Sequence, residues 1–137
     1  MEKTIFGHMV VNIQEVNQSF YKDLFNFLGW KVLLNDPKVL GIEDENKVSL
    51  WFAEPIKKVN NDYDGIGMNH LAISVLSQAA VDETVVYLQK HNIKMLFETP
   101  RHRPEFCGST DETYYQVMFE SPDRILFEVV YTGIRSK

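Results

Sequence analysis

Cysteine is nearly absent from this chain: Cys107 is the only one. No disulfide can close within it, and such sparse thiol usage fits a reducing compartment. A basic excess is missing too. Fourteen Lys and Arg stand against nineteen Asp and Glu, a formal net charge of −5, which is the wrong balance for neutralising nucleic-acid phosphates. No apolar run approaches the roughly 20 residues of a membrane-spanning helix. The opening Met1-Glu2-Lys3-Thr4-Ile5 lacks the apolar region of a secretory leader. A soluble cytoplasmic protein is expected, with neither nucleic acid nor membrane as partner.

What the chain has is apolar content, 45% of 137 residues, enough for one sizeable core. The expectation is a single domain, 1–137, built of two small fused modules. Two short apolar runs each carry a histidine at the start: Phe6-Gly7-His8-Met9-Val10-Val11 and Met68-Asn69-His70-Leu71-Ala72-Ile73. Apolar runs of this length read as buried strands. A third polar intruder, Glu128, interrupts the last such run, Ile125-Leu126-Phe127-Glu128-Val129-Val130.

The surroundings of the two histidines repeat. Residues 6–13 read as a strand with His8, Val10 and Asn12 on one face. A helix follows, capped by Asn17 or Ser19, with Phe20, Leu24, Phe25, Phe27 and Leu28 as its apolar side and Gly29 as its stop. Three strands are then predicted at 30–35, 38–43 and 47–53. Residues 55–67, rich in Lys, Asn, Asp and Gly, read as a linker between modules 1–54 and 68–137. The pattern restarts with a strand opened by His70 and a helix N-capped by Ser77 that ends near His91-Asn92. Strands at 93–98, 113–119 and 124–131 complete it. Strand, helix and three strands, stated twice, predict an α+β fold of two βαβββ modules forming a cupped mixed sheet, and a doubled unit outranks any single motif.

Glu128 must be paired, solvated or bound to something among its apolar neighbours. Strand alternation puts it on the face of Leu126 and Val130, opposite Ile125, Phe127 and Val129. A lone strand histidine or glutamate is usually a hydrogen-bonded core or rim residue. Two equivalent histidines with a same-facing carboxylate form an arrangement that packing does not require. Two imidazoles and a carboxylate suit a divalent metal, Fe2+ or Mn2+ ahead of Zn2+ or Ni2+. The expected metal ligands are His8, His70 and Glu128.

The doubled plan, with His8 in FGHMVVNI, the helix segment SFYKDLFNFLGW, His70 in GMNHLAISV and the closing MFESPDRILFEVVY, resembles the vicinal oxygen chelate superfamily. That superfamily holds glyoxalases, extradiol dioxygenases, fosfomycin-modifying enzymes and bleomycin-sequestering proteins. The resemblance implies paired βαβββ modules, a metal chelated by substrate oxygens, and often a homodimer. His8, His70 and Glu128 match its first-strand histidine, second-module histidine and last-strand glutamate. Where glyoxalase I has a fourth ligand, this chain offers only Ser49 and Trp51. The extradiol tyrosine about ten residues before the glutamate falls near Met118, with Tyr114 and Tyr115 out of register. The usual Pro-Asp-Gly turn is Pro122-Asp123-Arg124, which puts an arginine where a positive φ is wanted.

The loop 98–106 is long, and long loops are often functional. Arg101, with His102 and Arg103 beside it, is placed to reach an anionic substrate; a solvated charged loop is the plain alternative. Trp51 and Tyr115, with Tyr114 and Met118, are the other candidates to line the substrate pocket, although such aromatics often belong to the core. Cys107 near His102 lacks an orienting partner for a nucleophile. The leading expectation is a divalent-metal-dependent enzyme of the glyoxalase or dioxygenase type acting on a small substrate chelated through oxygens. The alternative is a metal-free small-molecule binding protein of the bleomycin-resistance kind.

Overall fold

The computed structural model describes all of residues 1–137. The chain divides into two compact units, Met1–Asn60 and Asn61–Lys137, and each repeats the same plan. In the first, β1 (His8–Asn12), α1 (Gln18–Phe27), β2 (Lys31–Asp36), β3 (Val39–Glu43) and β4 (Ser49–Ala53) form a sheet of order β1-β4-β3-β2. In the second, β5 (Leu71–Ser74), α2 (Gln78–Lys90), β6 (Met95–His102), β7 (Glu112–Glu120) and β8 (Leu126–Ile134) form a sheet of order β5-β8-β7-β6. The first strand of each unit pairs in parallel with the last, and the other pairings are antiparallel. The α+β class and the doubled βαβββ plan are as the sequence predicts, with the strands in two four-stranded mixed sheets. No helix is long and apolar enough to cross a membrane.

Each sheet buries one face against its helix, because a strand sends alternate side chains to opposite sides. In the first unit Leu50 and Phe52 of β4 are buried. Phe52 stacks on Tyr21 of α1 with ring centroids 4.5 Å apart and lies 5.7 Å from Phe25. Each such buried ring contributes roughly 1.5–3 kcal/mol. In the second unit Val117, Phe119, Phe127 and Val129 are buried, together with Val81 and Leu88 of α2. The helix side predicted for α1 turns slightly in the structure: Tyr21, Leu24 and Phe25 are its buried residues, while Phe27 is exposed.

Helix punctuation follows residue chemistry. Ser77 caps α2 by accepting the Ala80 N–H at 3.1 Å, and Asn92 ends it in the left-handed region at φ 55°. Gly29 at φ 83° stops α1, but Asn17 stands at its N-cap without a side-chain cap hydrogen bond. Arg124 does adopt a positive φ, 56°, in the β7–β8 turn.

Three boundaries differ from the sequence reading. The stretch 55–67 is a linker only in its first half. From Asn61 onward it belongs to the second unit: Asn61 Nδ2 donates to the Arg124 carbonyl at 2.8 Å, and Tyr63 is buried against Met118 and Leu126 with its hydroxyl donating to Glu120. His70 precedes β5 by one residue instead of opening it. Finally, β6 runs on to His102 through an irregularity between Leu96 and Arg101, so much of the expected loop 98–106 is strand. Thr99 holds that irregularity, its hydroxyl donating to the Leu96 carbonyl at 2.7 Å and accepting the Met118 N–H at 2.9 Å.

Candidate metal and substrate site

Both sheets carry their unusual residues on the face turned away from the helix. On the first sheet His8 lies in register with Ser49, and Val10 with Trp51, so all four share that face. His8 is exposed. Trp51 is half-buried, donates its indole N–H to Ser49 Oγ at 3.0 Å, and lies over Gly41, where an added Cβ would come within 2.5 Å of the ring.

On the second sheet Glu128 lies in register with Ala72 on one side and Met118 on the other. Alternation along β7 then brings Tyr114 and Gln116 to the same face. A cavity of about 330 Å³ opens there. Its wall includes His70, Glu128, Tyr114, Gln116, Arg103 and Phe106, all from the second unit.

Glu128 is 2% exposed, and a carboxylate this deep needs compensation at both oxygens. Oε1 accepts the Tyr114 hydroxyl at 2.6 Å, and Oε2 lies 3.0 Å from His70 Nε2. Burial and then the hydrogen bond to Glu128 push the Tyr114 phenol up to about 12, so at neutral pH it remains a donor.

The protonation of His70 follows from its other neighbour. Asn69 Nδ2 donates to the Tyr63 carbonyl at 3.0 Å, which turns Asn69 Oδ1 toward His70 Nδ1 at 2.7 Å. An amide oxygen only accepts, so Nδ1 carries a proton. Nε2 then confronts a carboxylate oxygen, and two lone pairs at this distance repel. The contact is favourable when a positive charge lies between them, either a proton on Nε2 or a metal ion.

The donor set fits a divalent metal. It combines an imidazole nitrogen whose far N–H is anchored with a carboxylate whose far oxygen is anchored, the outer-shell pattern that orients ligands. Nε2 of His70 and Oε2 of Glu128 lie 3.0 Å apart, so one ion would be held by both. Neither unit by itself gathers three or more His, Cys, Asp or Glu side chains placed to hold an ion; His70 and Glu128 are the two that the second unit brings together.

Of the substrate-binding expectations, Trp51 shares the face of His8. Tyr115 does not face the cavity: its hydroxyl donates to Asp82 of α2 at 2.8 Å, on the helix side of the sheet, and Tyr114 takes the place expected for it. Arg101 is Cα partner to Gln116, but its guanidinium pairs with Glu98 at 3.6 Å and the cavity wall does not include it. Arg103 supplies the cation there instead. Its Nε donates to Glu105 Oε1 at 2.5 Å, and its guanidinium lies 4.9 Å over the Phe106 ring. Cys107 donates to the Arg103 carbonyl at 3.4 Å.

Asn69 went unremarked in the sequence reading although it adjoins His70, and so did Tyr63, whose signal was an aromatic inside an otherwise polar stretch.

The sequence matches no protein-family model and no curated protein. Solved structures do match. A glyoxalase candidate from Bacillus halodurans is 24% identical with a TM-score of 0.76, over 93% of this chain and 95% of that one. A glyoxalase/dioxygenase from Nostoc punctiforme is 18% identical with a TM-score of 0.71, over 94% and 91%. A fosfomycin resistance protein from Listeria monocytogenes is 17% identical with a TM-score of 0.67, over 96% and 94%. The chain thus has the fold of these glyoxalase, dioxygenase and fosfomycin resistance structures.

Proposed function

We propose that the protein is a divalent-metal-dependent enzyme of the glyoxalase or dioxygenase type, acting on a small substrate that presents oxygens to the ion. One observation carries this reading: Nε2 of His70 and Oε2 of Glu128 converge at 3.0 Å while the opposite atom of each side chain is already hydrogen-bonded. His8, at the matching place in the first unit, is proposed as the third ligand on the strength of the sequence repeat. Bound there, a divalent ion supplies Lewis acidity to two substrate oxygens.

The chain's own residues have separate tasks. Asn69 holds the His70 ring in the orientation and tautomer that leave Nε2 available. Tyr114 holds the carboxylate of Glu128 through Oε1 and keeps Oε2 directed at His70. The apolar side of the cavity, Met118 and Leu126, keeps bulk water from the buried carboxylate.

A metal-free small-molecule binder is the second reading. It draws support from the same contact, since a proton on Nε2 would satisfy the pair as an ion pair. Elemental analysis of protein purified without chelators separates the two. Close to one equivalent of Fe2+, Mn2+ or Zn2+, falling steeply in His70→Ala, is expected. Negligible metal in both proteins would leave the second reading standing.

A further inference from the structure

We propose that the same cavity carries, beside the His70–Glu128 pair, a recognition site for a small aromatic carboxylate, bound through Arg103 and Gln116 and flanked by Phe97 and Phe106. The proposal rests on reading this cavity as the substrate site and needs no bound ion.

Gln116 is the first indication. It is 3% exposed, yet its side-chain amide makes no hydrogen bond within the protein. No buried side-chain nitrogen or oxygen is both sealed from solvent and unpartnered, so the amide reaches the cavity that Gln116 lines. A buried amide left this way awaits a polar partner from that side.

Arg103 is the second. Glu105 occupies its Nε at 2.5 Å and the Phe106 ring supports the guanidinium plane. Its two terminal amino groups make no hydrogen bond within the protein. A guanidinium oriented in this way presents a fork suited to a carboxylate.

The third indication is a pair of rings. Phe97 and Phe106 are 54% and 55% exposed and both belong to the cavity wall. Phe97 is held there by the irregularity in β6, where Phe97 and Glu98 adopt φ of 56° and 59°, values that only glycine takes readily. Bulges of this kind re-aim a side chain, and strained backbone concentrates at ligand sites. The volume, about 330 Å³, lies at the small end of ligand cavities and fits one ring with a short substituent.

Asp64 and Glu128 also border the cavity and would favour a cationic ligand, but both Glu128 oxygens are already engaged, by the Tyr114 hydroxyl and by His70. Asp64 is exposed, so solvent screens its charge, whereas Arg103 is held against the wall with 24% of its side chain exposed. The balance favours an anion.

The test uses sodium benzoate as probe, with benzyl alcohol and benzylamine as neutral and cationic controls, on the full chain treated with chelator and followed by calorimetry. Saturable benzoate binding is expected, with at least tenfold weaker binding of both controls. Arg103→Met is expected to weaken benzoate at least tenfold, and Gln116→Met and Phe97→Ala several-fold, with circular dichroism confirming that each variant is folded. Because the titration is made in chelator, loss of the metal reading would leave this result intact, and Tyr115→Phe, whose hydroxyl lies on the helix side of the sheet, is expected to bind benzoate as the parent does. The proposal is overturned if benzoate shows no saturable binding, if either control binds as well, or if Arg103→Met binds benzoate unchanged. The probe comparison on the parent chain decides the matter even if a variant fails to fold.

Discussion

Tyr114→Phe removes one hydroxyl and leaves the ring, so it isolates the donor that satisfies Glu128 Oε1 at 2.6 Å. A hydrogen bond to an ionised group contributes about 1.5–3 kcal/mol net, and for a chain of this size each kcal/mol moves the melting midpoint by about 4 °C. A loss of roughly 6–12 °C at pH 7 is therefore expected.

The pH dependence gives a second reading of the same contact. The phenol is raised from its ordinary 10 to about 12 in the folded protein, so its contribution is fully present below pH 10. Between pH 10 and about 12 the unfolded chain gives up this proton first, and stability falls. Phenylalanine has no such proton. The stability gap between parent and variant, measured by urea denaturation with circular dichroism, should narrow as pH rises through that window. A gap at pH 7 below about 0.5 kcal/mol, within the range of an ordinary surface substitution, would refute the pairing; so would one that stays constant to pH 12.

Tyr115→Phe serves as the contrast. It loses the 2.8 Å bond to Asp82 and about 1 kcal/mol, again with a shallower alkaline slope because burial raises this phenol to about 12 as well. Ligand and metal titrations of this variant should match the parent. Ser77→Ala removes the cap on Ala80 N–H and should cost about 1 kcal/mol in urea denaturation. Gly41→Ala drives a Cβ to within 2.5 Å of the Trp51 ring. It should cost roughly 1–3 kcal/mol and shift the tryptophan emission; unchanged emission would mean that the ring does not lie there.

The face pattern was legible because it depends only on alternation. Ile125, Phe127 and Val129 against Leu126, Glu128 and Val130 needs no knowledge of neighbouring strands, and the structure keeps that division. Choosing between Tyr114 and Tyr115 needs the register of β7 against β8, which the Ser121–Arg124 turn sets by pairing Glu120 with Leu126. With that pairing, the even-numbered residues of both strands share the cavity face, so the turn length held the answer. The course of β6 was not legible: a positive φ at Phe97 and Glu98 follows from no local preference, since it is imposed by Thr99 bridging to β7. The exchange of Arg101 for Arg103 comes from the same segment: Arg101 lies within β6 and pairs with Glu98, while Arg103 lies just past the end of the strand and is held by Glu105 and Phe106. Tyr63 was hidden because its burial depends on Met118 and Leu126, far along the chain.

The most direct measurement is pulsed electron paramagnetic resonance on chelator-stripped protein reloaded with one equivalent of Mn2+. Hyperfine coupling to imidazole nitrogen is expected in the parent, weakened in His70→Ala and likewise in His8→Ala, with the metal bound more weakly in Glu128→Gln. A spectrum of hexaaqua Mn2+ with no nitrogen coupling, the same in parent and variants, would contradict a metal held by His70 and Glu128.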